Sequence, residues 1–256
     1  MIEHLAFPGL KVDATLDGTP HGVEIEEHLV GLLGADSAEV QQYLVLRQTI
    51  ERAHAASGVS VVAVTSAALA DGKTTTAINL AGALARNPGA RILLVDADLR
   101  APSVATRLGV RRGQMGLADL LADARIALAD VAFRRQPFNL SVLTAGRLRK
   151  NDPYELLQSR RFAEVIAEAR QSYDYVVIDT PPAVPVPDCR VIEPIIDAFL
   201  IVVSAHRTPQ RLLEETLNIL GPEKSLGIVF NRADRRFRGC YGPYYGYGYP
   251  ASNNRD

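Results

Sequence analysis

Gly72-Lys73-Thr74 lies between a β-branched run, Val61–Val64, and a stretch with helical spacing, Thr74–Arg86. A loop between strand and helix can point backbone N–H groups at phosphate oxygens, and the helix N-terminus adds partial positive charge. Asp71, Gly72 and Thr75 would line such a loop, Lys73 would reach the β- and γ-phosphates, and the Thr74 hydroxyl would ligate Mg²⁺. The position six before the lysine is Ala67, where such loops carry glycine. A chance Gly-Lys-Thr capping a helix is the plain alternative, and carboxylates further along weigh against it. Ile92–Val95 runs into Asp96 and Asp98, and Val176–Ile178 runs into Asp179. Parallel strands deliver their C-terminal ends to one sheet edge, where ligands bind. Three carboxylates beside Thr74 suit a hydrated Mg²⁺ bridging ATP phosphates. A carboxylate not taken by metal can accept a proton from an incoming hydroxyl. Asn231 follows another strand-like run, Gly227–Phe230; its amide suits a purine ring or a turn.

The elements that must position these residues read as alternating strand and helix. Short apolar runs at Val61–Val64, Ile92–Val95, Leu140–Leu143, Tyr175–Ile178, Phe199–Val203 and Leu226–Phe230 have the length and branching of buried strands. Helical patterns fall between most of them, as at Phe162–Ala169 and Gln210–Leu220. The expectation is an α/β fold, a parallel sheet with helices on both faces. Ahead of it, Ser37 can cap a helix running to about Ala56. Residues 1–35 read as an arm with a short helix near Ile25–Leu33, residues 36–234 as the main domain, and residues 235–256 as a tail.

Composition narrows the function. The 256 residues are 47% apolar and 22% charged, which is ordinary for a globular chain. Twenty-eight Lys/Arg against twenty-nine Asp/Glu leave a net charge of −1, so bulk electrostatics makes no case for nucleic acid or an anionic membrane. Cys189 and Cys240 are too few for a disulfide framework or a zinc site. The N-terminus lacks a signal-peptide pattern, and the longest apolar runs fall far short of a bilayer span. A cytoplasmic location is expected.

The loop Asp71-Gly72-Lys73-Thr74-Thr75-Thr76, the element Val95-Asp96-Ala97-Asp98-Leu99-Arg100 and the element Asp179-Thr180-Pro181-Pro182 together resemble the bacterial tyrosine kinases. These are P-loop autokinases of polysaccharide synthesis and export. Asp152-Pro153-Tyr154-Glu155-Leu156-Leu157 is similar to that family's Asn-Pro-x-Glu-Leu-Leu segment, with Asp152 at the Asn position. The resemblance covers roughly residues 36–250. It implies that Lys73 and Thr74 hold phosphates and Mg²⁺. It implies that Asp96, Asp98 and Asp179 share metal binding and activation of the acceptor hydroxyl, with the base left open between Asp96 and Asp98. Arg100 would brace its element or touch phosphate.

The tail fits the same resemblance. Tyr241, Tyr244, Tyr245, Tyr247 and Tyr249 place five of the chain's nine tyrosines within nine residues. Intervening Gly and Pro disfavour helix and strand, as a flexible acceptor segment requires. An aromatic packing tail is the plain alternative. One departure concerns assembly. The family's Glu-x-x-Arg-x-x-Arg, implied in ring-like self-association, is here Gln41, Leu44 and Arg47. A homo-oligomer remains the expectation, with its charged pairing degraded. The resemblance also implies a separate membrane polysaccharide co-polymerase as activator, recruiting the chain to the inner face of the plasma membrane. Two other readings compete. One is a nucleotide-switch ATPase of the ParA/MinD type, whose loop carries an extra lysine where this chain has Ala68. The other is a catalytically weak ATP-binding adaptor.

Overall fold

The structure is a computed structural model, and it describes Leu29 and residues 37–110, 113–135, 138–148 and 151–233. The first element of the described residues is α1 (Ala38–Ser57), capped by the Ser37 hydroxyl, which accepts from the Val40 N–H at 3.3 Å. The elements that follow build a seven-stranded sheet. They are β1 (Val61–Ser66), α2 (Lys73–Ala85), β2 (Ile92–Asp96), α3 (Val104–Arg107), α4 (Leu117–Ala122), α5 (Leu128–Val131), β3 (Phe133–Arg135) and β4 (Leu140–Leu143). Then come α6 (Pro153–Gln158), α7 (Arg160–Ser172), β5 (Tyr175–Asp179), α8 (Asp188–Ile192), β6 (Ala198–Ser204), α9 (Gln210–Leu220) and β7 (Ser225–Asn231).

Strand order is β3-β4-β2-β5-β1-β6-β7, parallel throughout except for β3, which runs antiparallel to β4 at one edge. β1, β2, β5 and β6 are buried along their whole length, as strands covered on both faces must be. Alternate side chains feed two apolar layers. One, holding Ile78, Leu80 and Leu84 of α2 with Ile50 of α1, also takes in Leu29, the one described residue of the arm, which is fully buried. The other holds Phe162, Val165, Ile166 and Ala169 of α7, spaced so that one helical face meets the sheet.

The connection leaving β1 runs past β5 to β2, whereas the one leaving β5 runs past β1 to β6, so the carboxyl ends of β1 and β5 flank a topological switch point. The other end of β1 is fixed by Asp197. That carboxylate accepts from the backbone N–H groups of Ser60 and Val61, each at 2.8 Å, and pairs with both terminal nitrogens of Arg170, each at 2.8 Å. Burial alone would raise the Asp197 pKa, but Arg170 and the two N–H donors outweigh it and hold it at about 2. A depressed carboxylate contributes stability above its unfolded pKa and loses it as pH falls towards the folded value. Asp197→Ala is therefore expected to cost about 2 kcal/mol at neutral pH, since it strands two N–H groups and a guanidinium. Urea titrations across pH should show the gap to wild type narrowing between pH 5 and pH 2. A gap that stays constant over that range refutes the account.

Candidate active site

β1 hands the chain to the loop 67–72, in which Ala70 and Gly72 take left-handed backbone (φ 62° and 100°). The loop is held from inside. The Asp71 carboxylate accepts from the Ala68 N–H at 3.0 Å and from the Thr208 hydroxyl at 2.6 Å. The Asn231 amide donates to the Asp71 carbonyl at 2.8 Å, and its oxygen accepts from the Arg232 N–H. These bonds use one of the two donors and one of the two acceptor positions of the Asn231 amide. A Cβ on Gly72 would collide with Asn231 Nδ2. Gly72→Ala is thus expected to displace the loop and lower nucleotide affinity at least tenfold. Adding Asn231→Gly removes the clash but not the left-handed strain, so recovery should be partial. Calorimetric titration with ATP checks this, and wild-type affinity in the single variant would contradict the packing.

α2 begins at Lys73, placing Lys73, Thr74 and Thr75 in its first turn. Asp96 and Asp179 end the adjacent strands β2 and β5 and are register partners, which forces the two carboxylates together. Lys73 Nζ donates to Asp98 Oδ2 at 2.7 Å and lies 3.7 Å from Asp179 Oδ1. The Thr74 hydroxyl donates to Asp179 Oδ2 at 2.7 Å and accepts from Ser103 at 3.2 Å. The Val104 N–H donates to Asp96 Oδ2 at 3.1 Å, and the Ala101 N–H to Asp98 Oδ1 at 3.0 Å. The five side chains whose types and spacing pointed to phosphate chemistry therefore form one connected cluster at the carboxyl edge of the sheet.

The cluster is buried, and its charges show it. Burial, with the Asp179 charge next, lifts the Asp96 pKa well above the usual carboxylate range. Burial pushes Asp179 up to about 6 even though Lys73 and Thr74 oppose it. Burial alone would lower the Lys73 pKa, but the charges of Asp179, Asp98 and Asp96 outweigh it and raise it. Asp96 Oδ1 and Asp179 Oδ1 are buried with no hydrogen-bond donor among the described residues. Such oxygens call for a cation or a proton. No group of three or more His, Cys, Asp or Glu side chains among the described residues forms a closed cation cage. Mg²⁺ needs none, because it keeps waters and takes one or two carboxylates together with substrate phosphates. The donor set thus suits that ion.

Several partners were not legible in the sequence. Arg100 is clamped by both oxygens of Asp188, at 2.7 and 2.9 Å, and Asp188 is fully buried. This clamp ties the 97–103 segment to α8. Arg107 donates to the Thr75 hydroxyl at 3.3 Å, and Thr208 supports Asp71 from the loop after β6. On α1, Arg47 pairs with Glu51 at 2.8 Å and reaches the Ala83 carbonyl of α2, so it is engaged within its own chain. Tyr241, Tyr244, Tyr245, Tyr247 and Tyr249 lie outside the described residues, as do all but one residue of the arm. Among the described residues no helix is long and apolar enough to cross a membrane.

The AAA domain family matches residues 59–212, which span the sheet from β1 to the start of α9. The tyrosine-protein kinase YwqD of Bacillus subtilis is 32% identical over 227 residues, covering 88% of this chain and 94% of its own length. The succinoglycan biosynthesis transport protein ExoP of Rhizobium meliloti is 34% identical over 196 residues, which are 75% of this chain but only 25% of that protein. Among solved structures, the chimerical protein CapA2B2 superposes with a TM-score of 0.75 at 29% identity, covering 81% of this chain and 91% of the other. A ParA family ATPase from Chlorobium tepidum reaches a TM-score of 0.58 at 24% identity over 70% of this chain and 76% of the other, a likeness of fold alone. With a P-loop nucleotide-binding fold, the phosphate-loop cluster in place and identity to YwqD along nearly its whole length, the chain belongs to the bacterial tyrosine kinases.

Proposed function

We propose that the chain is an ATP-dependent autokinase that phosphorylates its own C-terminal tyrosine cluster in trans, in the service of exopolysaccharide synthesis and export. The convergence of Lys73, Thr74, Asp96, Asp98 and Asp179 at one sheet edge carries this reading. The phenolic oxygen of an acceptor tyrosine attacks the γ-phosphorus. A bond forms between that oxygen and phosphorus, the bond from phosphorus to the β,γ-bridging oxygen breaks, and ADP leaves. The phenolic proton passes to Asp96 or Asp98. Lys73 and the N–H groups of residues 72–75 offset charge on the phosphates, which is the main demand of phosphoryl transfer. A magnesium ion, held by Thr74 and Asp179 with Asp96 and Asp98 beside them, would neutralise phosphate charge when bound. Asn231, at the same edge, would meet the base with its remaining donor and acceptor.

In this reading residues 36–234 form the catalytic unit, residues 1–35 an arm and residues 235–256 the acceptor tail. A separate membrane co-polymerase would activate the chain and recruit it to the inner face of the plasma membrane, within a homo-oligomer. The name of ExoP, a transport protein of polysaccharide biosynthesis, supports that setting. The experiment mixes wild type with a Lys73→Met chain of distinguishable mass, adds Mg-ATP and maps phosphotyrosine by mass spectrometry. Phosphate is expected on the tail of the Lys73→Met chain. Truncation after Arg238 should remove most phosphotyrosine while ATP binding persists. Phosphotyrosine confined to wild-type chains would exclude transfer in trans, and phosphotyrosine undiminished by truncation would exclude the tail.

A further inference from the structure

A second concavity, of about 520 Å³, opens between α4 and the start of α6. It lies at the same sheet edge as the phosphate cluster. Arg147, on its wall, follows the end of β4 by four residues, and β4 adjoins β2, whose end carries Asp96. Asp152, next to the wall residue Asn151, adds its charge to the field at Arg100. The lining is apolar in part, with Met115, Ala122, Ile126 and Leu156, and Met115 is 49% exposed.

Its charged groups are already partnered. Arg125 donates to both oxygens of Asp123, from Nε at 3.0 Å and from Nη2 at 2.7 Å. The Asp119 carboxylate accepts from the Gly116 and Arg147 N–H groups at 3.1 and 3.0 Å, and the Arg147 side chain donates to the Gly113 carbonyl. Two cations and two carboxylates, each engaged, leave no net charge to recruit an ionic ligand. An uncharged ligand with a large apolar body and a polar tip fits such a cavity, and tyrosine has that form.

The chain carries such a segment. Residues 239–254 contain no charged side chain and hold the five clustered tyrosines. The segment is also long enough. From β7 to β4 the sheet spans five strand spacings, about 24 Å. The eleven residues from 234 to Tyr244 extend to roughly 36 Å. We propose that this cavity seats one tyrosine of the chain's own 241–249 segment, so that a neighbouring tyrosine is presented to the phosphate cluster of an adjoining chain. Tyr241 and Tyr244, or Tyr244 and Tyr247, are about 10 Å apart in extended chain, so one can stay seated while the other projects towards the adjoining chain. The clustering of tyrosines then has a reason: each serves in turn as anchor and as acceptor. The inference rests on the acceptor role proposed above for the tail.

The test replaces Tyr245 with p-benzoylphenylalanine in the full chain and irradiates it without ATP. Cross-links to Met115 or Leu156 are expected, and cross-links confined to residues outside the cavity overturn the proposal. Because no ATP is present, this arm reads docking alone. Cross-links at Met115 in a chain whose wild-type tail gains no phosphotyrosine would sustain docking and refute the acceptor role. In a second arm, Ala122→Arg fills the cavity from an exposed position, and Met115→Ser, a milder change, guards against misfolding. Both should lower tail phosphotyrosine, Ala122→Arg about tenfold, with ATP affinity unchanged. Undiminished phosphotyrosine in both variants overturns the proposal. So does binding to uncharged phosphatidylcholine vesicles that Ala122→Arg abolishes, with no cavity cross-link, which would assign the cavity to a membrane surface.

Discussion

Lys73→Met is expected to lower autophosphorylation at least a hundredfold while the circular dichroism spectrum stays that of wild type. Removing one group aimed at developing charge costs on the order of 10²–10³ in turnover. Lys73 is such a group, because its ammonium sits at the first turn of the helix that follows the phosphate loop. It also has a second task. It stands between Asp98 and Asp179, and its charge opposes the upward shift of both Asp96 and Asp179. Methionine matches its stem but leaves three neighbouring carboxylates without their cation. Protons should then be taken up at higher pH by the variant than by wild type. Potentiometric titration of the two proteins, run beside the kinase assay, checks both parts. Wild-type turnover in the variant would mean that the phosphates bind elsewhere.

The second large effect separates the three carboxylates. Asp179→Asn should weaken Mg²⁺-dependent ATP binding tenfold or more, since Asp179 holds the Thr74 hydroxyl and loses the charge that faces the metal position. Asp96→Asn and Asp98→Asn should each lower turnover at least a hundredfold. Only one of the two is expected to keep near-normal nucleotide affinity, and that one identifies the residue that takes the tyrosine proton. Asp98 is the member already paired to Lys73, whereas Asp96 keeps one buried oxygen without a donor. Equilibrium binding of ATP with and without Mg²⁺, set beside initial rates, reads out both quantities. If both variants bind ATP poorly and neither is selectively slow, neither residue is the base.

The strands were legible because strands buried on both faces must be apolar without interruption. Val61–Val64 and Tyr175–Ile178 announce themselves, and the structure extends them only to Ser66 and Asp179. β3 gave no such signal. It is Phe133-Arg134-Arg135 at a sheet edge, where one side meets solvent and the run is three residues long, and it adds the antiparallel pairing that a purely parallel expectation lacks. The short helices α3, α4 and α5 were legible only as a helical, Arg-rich middle and could not be delimited, since four to six residues do not complete a readable period. At the site, strand ends and the loop located Lys73, Thr74, Asp96, Asp98 and Asp179. Asp188, Ser103, Arg107 and Thr208 were not located, because each reaches the cluster only after helices dock onto the sheet. The Arg100–Asp188 clamp joins residues 88 positions apart, and nothing local at either residue signals the other.

The place of β1 in the sheet also sets when this enzyme can first work. Its hydrogen-bonded neighbours begin at Val176 and Ala198, more than a hundred residues downstream. A ribosome will have made the phosphate loop long before it makes either strand that flanks it. Until residue 204 has emerged, the loop has no finished sheet to hang from, and Asp71 has no Thr208 to hold it. Closing such long segments is slow, as it is for other chains dominated by distant pairings. A nascent or prematurely terminated chain therefore carries the nucleotide motif without the means to use it, and phosphoryl transfer waits until the chain has been made past Thr208.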